Sequence, residues 1–536
     1  MSSLLGAPRA GMIAGRKRIW LAGFLVFFAL MTCWTFATPM TAAPDEPDHI
    51  TRAASVARGE INGPPVERDN MIAGILRAEV VTGIHLPERY LSLDAMHRCY
   101  SNHSSTPAGC QSSFQGGSQD VDMITTAGLY NPLYYLAVGW PTLFLHGVDG
   151  LYAMRVLSAL ICAVLLASAV VTASEWRRPG MALLGVVAAA VPMMLFLGGT
   201  VNPNAVECAA GILAWASVLS IFMAPDPLLL KHRMARAGVA AGSLFCIRPL
   251  GLAWVAAAVV CGLLVSERAT VMAVVRRRIS WLWTGIAGAA FLGGEVWNMT
   301  HPDHSTTAGK LMTAREVADW AYHYTPHFIE EMIGNFGWLD TPSPEVTLLI
   351  WPGVIIGLLL LALASGPRRV GLALAAVTLG IFLVPIAAQA LEAQLGPIWQ
   401  GRYLLPFAVG LPILAAFTIA KYEPLGPTVR RRMVALTVAA LAFADFMAFF
   451  WALRRYTVGT SGPLIPTHAH WQPPGTWPLL TAVYLLAVVA QGAIVIAFDR
   501  NRSTVGAGGR GDSRTGPETA GPDRDDHRLL RVSRAE

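Results

Sequence analysis

Three acids and a histidine stand together at Pro44-Asp45-Glu46-Pro47-Asp48-His49, directly behind a long apolar run. Carboxylates at such a place can take a proton from a hydroxyl or hold a hard cation through oxygen. Pro47 suits the first turn of a helix, where its missing N–H costs nothing. A helix is therefore expected through Ala57, with Asp45 and Glu46 at its N-terminus, where the dipole favours anions. Asp48 and Arg52 are spaced i, i+4 and can pair. A capped helix start in water has the same composition, so the cluster alone does not establish a site.

Other polar groups could converge on it. Gln400-Gly401-Arg402-Tyr403 stands where a loop enters an apolar run; Arg155 and Glu295 lie inside apolar runs, and Arg248 interrupts another. Ionisable groups at membrane depth are costly and face a cavity or a partner. Several arginines near a carboxylate pair make a place for an anion such as phosphate, although head-group snorkelling explains a single arginine equally well. His301, His304, His323 and His327 lie in one polar stretch. His323 and His327 could share a helix face as metal ligands, but no H-E-x-x-H pattern accompanies them, and surface or groove histidines are expected. Asn335-Phe336-Gly337-Trp338-Leu339-Asp340 reads as a polar-aromatic turn, able to face a sugar or to anchor at the membrane surface. Asn202-Pro203-Asn204 reads as a helix start with Asn204 as cap. Of seven cysteines, Cys99 and Cys110 share a polar loop. Their spacing fits no common zinc pattern and suits a local disulfide in an oxidising compartment.

The elements that must carry these residues are membrane helices. Of 536 residues, 54% are hydrophobic and only 14% charged, against about 25% charged in soluble domains. The net charge of +6 gathers in short clusters between apolar runs, as the positive-inside rule requires, and no nucleic-acid motif accompanies it. Spans are expected at Ile19–Ala37, Leu151–Ala173, Met181–Gly199, Ala205–Met223, Trp281–Trp297, Val346–Ala364, Gly371–Ala390, Tyr403–Ala420, Met433–Ala452 and Trp477–Phe498. The first apolar run exceeds the 7–15 residues usual in a signal peptide and reads as a retained span. Ala237–Val265 has basic flanks on both sides, so a hairpin breaking near Arg248-Pro249 is expected, with Arg248 at its outer tip. Pro132–His146 reads as an interfacial or re-entrant helix with Tyr134, Tyr135 and Trp140 at head-group level. This makes about twelve spans and a multi-pass protein of the inner (plasma) membrane with both termini cytoplasmic. The expected parts are a cytoplasmic 1–18, a membrane domain 19–498 with outer loops 39–150 and 298–345, and a polar tail 499–536 without fixed structure. Arg454-Arg455 fall outside, against the rule. Neither a P-loop nor a dinucleotide fingerprint is present.

At Pro44–His49, Asn335–Asp340 and Gln400–Tyr403 the sequence resembles a bacterial family of polytopic membrane proteins, domain of unknown function 2142, across about 400 residues. The wider layout resembles the C-type glycosyltransferase superfamily: a first span followed by an outer loop with an acidic pair and juxtamembrane helices. Asn131-Pro132-Leu133-Tyr134-Tyr135 looks like that superfamily's Pro-Leu-Tyr-Tyr helix, and Ala153-Met154-Arg155 like its Ala-x-Arg segment. Asn131 departs from the Pro or Lys-Pro that often precedes Pro-Leu-Tyr. The resemblance implies an all-α membrane fold and an inverting transfer of sugar from a polyprenyl-phosphate donor to a cell-envelope glycan or glycolipid acceptor outside the cytoplasm. Asp45 would then be the general base, assisted by Glu46, the two also being the candidates for a divalent cation. Arg402, Arg248 and Arg155 would hold the lipid phosphate, with His49, Arg52, Tyr134, Gln400 and Tyr403 lining the site. Two other readings stay open: a transporter or flippase of a lipid-linked glycan, and a non-catalytic scaffold of an envelope-assembly complex.

Overall fold

The computed structural model describes residues 7–72, 75–302, 306–307 and 312–507. Helix α1 (Ala7–Ala37) is followed at once by the short α2 (Glu46–Ala57). The first long loop then forms β1 (Pro65–Ile72), β2 (Ile75–Pro87), a turn of helix α3 (Leu93–Met96), β3 (Asp120–Thr125) and α4 (Pro132–Gly139). Six helices follow: α5 (Val148–Ser174), α6 (Pro179–Ala189), α7 (Pro192–Gly198), α8 (Pro203–Met223), α9 (Leu230–Phe245) and α10 (Gly251–Val265). Beyond them come α11 (Arg268–Val275) and α12 (Arg278–Thr300). The second long loop holds β4 (Thr306–Thr307), α13 (Ala314–Gly334), β5 (Asn335–Phe336) and β6 (Thr341–Pro342). The chain closes with α14 (Glu345–Ser365), α15 (Arg368–Leu391), α16 (Leu405–Ala408), α17 (Gly410–Tyr422), α18 (Pro427–Val458) and α19 (Trp477–Ala507).

Among the described residues, eight helices are long and apolar enough to cross a membrane, and nine if α6 and α7, bent by 67° at Pro192, make one broken span. The hairpin expected in Ala237–Val265 is present, α9 and α10 being separated by a break that contains Arg248-Pro249. These two helices have only 16 and 15 residues. Helix α12 mixes glycines, tryptophans and Glu295 into its apolar run. The expected count of twelve therefore stands above what length and apolarity alone support.

The first long loop carries a small sheet beside its short helices. β1, β2 and β3 pair antiparallel in that order, with Glu67 opposite Val80 and Ile84 opposite Met123, and β4 of the second loop joins β2 at Arg77 and Ala78. Most of this sheet alternates weakly between charged and apolar residues, so its signal is faint beside the apolar helices. At the other end of the chain, α19 passes the edge expected at 498 and carries Asp499, whose carboxylate takes a hydrogen bond from Arg430 at 3.1 Å. The rest of the expected tail, 508–536, lies outside the described residues.

Trp34, fully buried, ties the bundle together. Its ring lies against Phe196, Phe336 and Phe449 at centroid distances of 5.4, 4.8 and 5.1 Å, and its indole N–H donates to the Tyr484 hydroxyl. One side chain of α1 thus joins α7, β5, α18 and α19. Arg455, placed outside against the charge rule, proves to be an anchor. It donates to the carbonyls of Tyr100 and Thr106 and pairs with Asp340 at 3.2 Å. Asp340 in turn accepts from the Asn102 amide. A fully satisfied guanidinium has no need of the cytoplasmic side. The expected bond between Cys99 and Cys110 is formed in this clamped loop, with their Cα atoms 6.2 Å apart.

Candidate functional site

Asp45 is the residue before α2, and its backbone is left-handed, with φ 61° and ψ 5°. Aspartate tolerates this region better than most residues, though holding it there still costs free energy. Its side chain makes no capping bond to its own helix. It reaches instead to Arg402, with Oδ2 2.5 Å from Nη2, across 357 positions of sequence. The pair is one-sided in burial: the Arg402 side chain is fully enclosed, and 42% of the Asp45 side chain is exposed.

Each residue of Gln400-Gly401-Arg402-Tyr403 has a task in presenting that guanidinium. The Gln400 side-chain oxygen accepts from Arg402 Nε at 2.6 Å. Gly401 is needed because a Cβ there would stand 2.1 Å from the Phe328 carbonyl of α13. The Gly401 amide donates to Glu331 of the same helix at 2.6 Å. Tyr403 lies beneath two cations, its ring centroid 5.1 Å from the Arg402 guanidinium carbon and 4.7 Å from that of Arg248. Upstream, the buried side-chain oxygen of Gln389 accepts from the amides of Ile398 and Trp399 and shapes the approach to the turn.

Arg248 comes from the break between α9 and α10. It lies over the rings of Tyr403 and Tyr130, the latter at 5.3 Å. Its Nε is buried and makes no hydrogen bond; the Glu207 carboxylate of α8 is 4.0 Å away. Glu207 is itself held by Asn204 and by the Trp254 indole. His49, one turn along α2 from Asp45, meets the Tyr135 hydroxyl of α4 with Nδ1 at 2.9 Å. His49 Nε2 and Arg402 Nη1 are also buried without hydrogen-bond partners. Three unsatisfied ring or guanidinium nitrogens thus belong to the side chains gathered around Asp45. Leaving such groups bare in a protein interior is expensive, and a site that accepts an anion removes the expense.

The electrostatics follow from this crowding. Burial alone would raise the Asp45 carboxyl, but the Arg402 and Arg248 guanidinium groups beside it outweigh burial and hold it below its usual value. Burial pushes the His49 imidazole down to about 3, the two arginines adding to the effect against the pull of Asp45. At neutral pH the group is therefore a carboxylate, two guanidinium ions and a neutral imidazole.

Other candidates of the sequence reading are placed elsewhere. Glu46 and Arg155 are both fully enclosed and face one another, with Arg155 Nε and Nη2 on the two carboxylate oxygens at 2.7 and 2.6 Å. Arg155 also donates to the carbonyls of Thr35, Thr38 and Pro39, and Glu46 Oε1 accepts from the Val201 amide. This saturated pair braces the start of α2 against α1, α5 and the start of α8. It leaves Glu46 no oxygen turned toward Asp45, so a divalent cation shared by the two does not fit. Asp48 and Arg52 do not pair. Asp48 takes the Thr126 amide, while Arg52 donates to the carbonyls of Ile61 and Tyr130 and so holds up the Tyr130 wall. Tyr134 turns to Ser158 of α5, and its neighbour Tyr135 faces His49. Outward-facing Leu133, Leu136 and Trp140 give α4 the exposed apolar side expected of an interfacial helix, whereas the two tyrosines are buried. The α8 cap is Asn202, which accepts from the Asn204 amide, not Asn204. Phe336 is buried against Trp34 and Trp338 donates to the Thr41 carbonyl, so the Asn335–Asp340 turn is structural. His323 and His327 are exposed beside Asp319 and Glu330, and His304 lies outside the described residues. Among the described residues no group of three or more His, Cys, Asp or Glu side chains is placed to hold a metal ion.

Reading the sequence missed Tyr130, Glu207 and Glu331, and set Tyr135 at head-group level, not beside His49. The only signal for Glu207 was a lone carboxylate inside an apolar run, of the kind noted for Glu295.

The family described as Predicted membrane protein (DUF2142) matches residues 27–411, which contain every residue of this site. No curated protein matches the chain. Among solved structures it is similar to ArnT from Cupriavidus metallidurans in the apo state, with a TM-score of 0.41 and 14% identity over 94% of this chain and 80% of that one. It is likewise similar to the same protein bound to undecaprenyl phosphate, with a TM-score of 0.40 and 14% identity over 93% and 79%. The chain belongs to the DUF2142 family of membrane proteins.

Proposed function

We propose that this protein is a membrane glycosyltransferase that moves a sugar from a polyprenyl-phosphate donor to a hydroxyl of a cell-envelope glycan or glycolipid on the outer side of the membrane. The observation that carries this reading is the meeting of Asp45, Arg402 and Arg248 at the start of α2. A half-exposed carboxylate in a strained backbone position is touched by one buried guanidinium and lies near a second, each with an unsatisfied nitrogen. In this reading Asp45 takes the proton of the acceptor hydroxyl as that oxygen bonds to the anomeric carbon. The bond between the anomeric carbon and the phosphate oxygen breaks, and the lipid phosphate leaves with the charge. Arg402 bridges the two events, with Nη2 on Asp45 and Nη1 free for a phosphate oxygen. Charge held ready where charge develops is the most effective electrostatic aid. In this reading the Tyr135 hydroxyl donates a hydrogen bond to His49 Nδ1, the tautomer that leaves the neutral imidazole its Nε2–H to offer to a substrate oxygen. One attack inverts the anomeric carbon. A divalent cation is not needed by this scheme.

The test is Asp45→Asn in purified protein supplied with a polyprenyl-phosphate sugar and membrane acceptor extract. The variant is expected to insert and bind donor while losing transfer by about 10²-fold or more. Full transfer by that variant at equal protein level would remove Asp45 as the base and return weight to a transporter or scaffold.

A further inference from the structure

Six tryptophans are buried among the described residues. Five of them, Trp34, Trp176, Trp215, Trp254 and Trp351, each donate the indole N–H to a hydroxyl, carbonyl or carboxylate oxygen at 2.8–3.3 Å. Trp399 does not: its Nε1 is buried and has no hydrogen-bond partner. A buried indole usually finds an acceptor for its one donor, and leaving that donor bare costs free energy. The exception stands directly before the turn that presents Arg402.

Several contacts fix this ring in place. The buried Gln389 of α15 accepts from the Trp399 amide at 2.7 Å and from the Ile398 amide at 2.8 Å, and its side-chain nitrogen donates to the Gly396 carbonyl. A glutamine inside the protein thus holds the stretch of chain that ends in Trp399. The indole stands nearly perpendicular to the Tyr403 ring, at 88° with the centroids 5.9 Å apart. The guanidinium groups of Arg402 and Arg248 lie over that same Tyr403 ring. Gln400, the next residue, holds Arg402 Nε. Trp399 is therefore joined through one shared ring to the guanidinium that touches Asp45.

The indole offers one neutral donor beside an aromatic wall. A phosphate is matched by guanidinium groups, charged and able to bind in pairs, whereas a neutral donor suits a neutral oxygen such as a hydroxyl. In the proposed reaction the transferred sugar lies between the phosphate on Arg402 and the acceptor oxygen on Asp45, and it brings its hydroxyls to this place. We infer that Trp399 determines sugar specificity, its indole N–H donating to a hydroxyl oxygen of the transferred sugar. The inference rests on the proposed function and names the residue that reads the donor's sugar within it. A site built to hydrogen-bond a hydroxyl rejects a sugar that lacks it, because the protein's donor is then left buried and bare.

The experiment uses the full chain in nanodiscs, supplied with a panel of undecaprenyl-phosphate pentoses and hexoses and with membrane acceptor extract. For the sugar transferred fastest, deoxy donors are made that lack each ring hydroxyl in turn. Trp399 is replaced by phenylalanine and, separately, by benzothienylalanine, which keeps the shape of the indole and lacks only the N–H. Both variants are expected to lose about fivefold in kcat/KM with the full sugar, the weight of one neutral hydrogen bond. With one particular deoxy sugar they are expected to equal the parent, and with every other to keep the gap. A gap of the same size with all the deoxy sugars would put the N–H on the phosphate or on the Tyr403 ring, and would overturn the inference while leaving the donor class standing. Equal kinetics of the parent and the benzothienylalanine variant with the full sugar would overturn it too, any loss with phenylalanine then being one of packing. No transfer by the parent from any member of the panel would overturn the donor reading itself, and the inference with it.

Discussion

Replacing Glu46 by glutamine separates a structural brace from a chemical participant. Glu46 accepts three hydrogen bonds, two from Arg155 at 2.7 and 2.6 Å and one from the Val201 amide at 3.0 Å. Glutamine keeps one acceptor oxygen, and whichever way it turns, its NH₂ group meets a guanidinium N–H. Arg155 is then a buried cation without a counter-ion. Breaking such a pair by removing one partner costs about 3–5 kcal/mol, a large part of the ~5–15 kcal/mol that holds a typical domain folded. Glu46→Gln should therefore lower the denaturant midpoint strongly in bicelles, followed by tryptophan fluorescence. The double replacement Glu46→Leu with Arg155→Met should cost less than the sum of the two single changes, since removing both charges leaves neither stranded. The fraction of Glu46→Gln that remains folded should turn over donor at close to the parent rate. A variant with an unchanged midpoint and a hundredfold loss of transfer would refute the brace and make Glu46 part of the chemistry.

The remaining predictions follow from the same contacts. Asp45 is held below its usual value by its cationic neighbours, so it stays charged at every pH above about 4 and sets no acid limb near neutrality. Stability from its pairing is present above the unfolded value and lost as pH falls through the lower folded one. In Arg402→Gln the raising effect of burial is no longer offset by that cation, and the acid limb of the transfer rate should move toward neutral; an unmoved profile would show that Asp45 is not the titrating base. Cys99→Ser should destabilise the outer loop by about 3 kcal/mol for a ring of this size, read as faster cleavage of the loop by an added protease, and cleavage at the parent rate would contradict it. Arg455→Met should loosen the same loop more, because it strands the carbonyls of Tyr100 and Thr106 as well as Asp340. A single cysteine at Ser118 should react with an impermeant maleimide in intact cells and one at Gly426 should not; equal labelling would refute the expected topology.

The sequence alone determined what local order decides. Twenty-residue apolar runs between basic clusters required a polytopic helical protein, because hydrocarbon leaves the backbone no other partners. The two basic flanks of Ala237–Val265 demanded an even number of crossings, and the hairpin at Arg248-Pro249 is there. Pro47 marked the start of α2, and Cys99 with Cys110 marked a short loop that could close on itself. Tertiary structure alone decided which polar residues meet. Asp45 and Glu46 are adjacent and chemically alike, yet one faces Arg402 and the other is saturated by Arg155, because the left-handed backbone at Asp45 sends the two carboxylates apart. No periodicity reveals that turn. Tyr134 and Tyr135 are divided in the same way by helix rotation, one toward α5 and one toward His49. Arg402 and Arg155 look alike in sequence, each a cation within about a turn of the end of an apolar run. They differ only in whether the folded chain brings enough carbonyl and carboxylate oxygens to satisfy every N–H, and that depends on groups more than a hundred residues away.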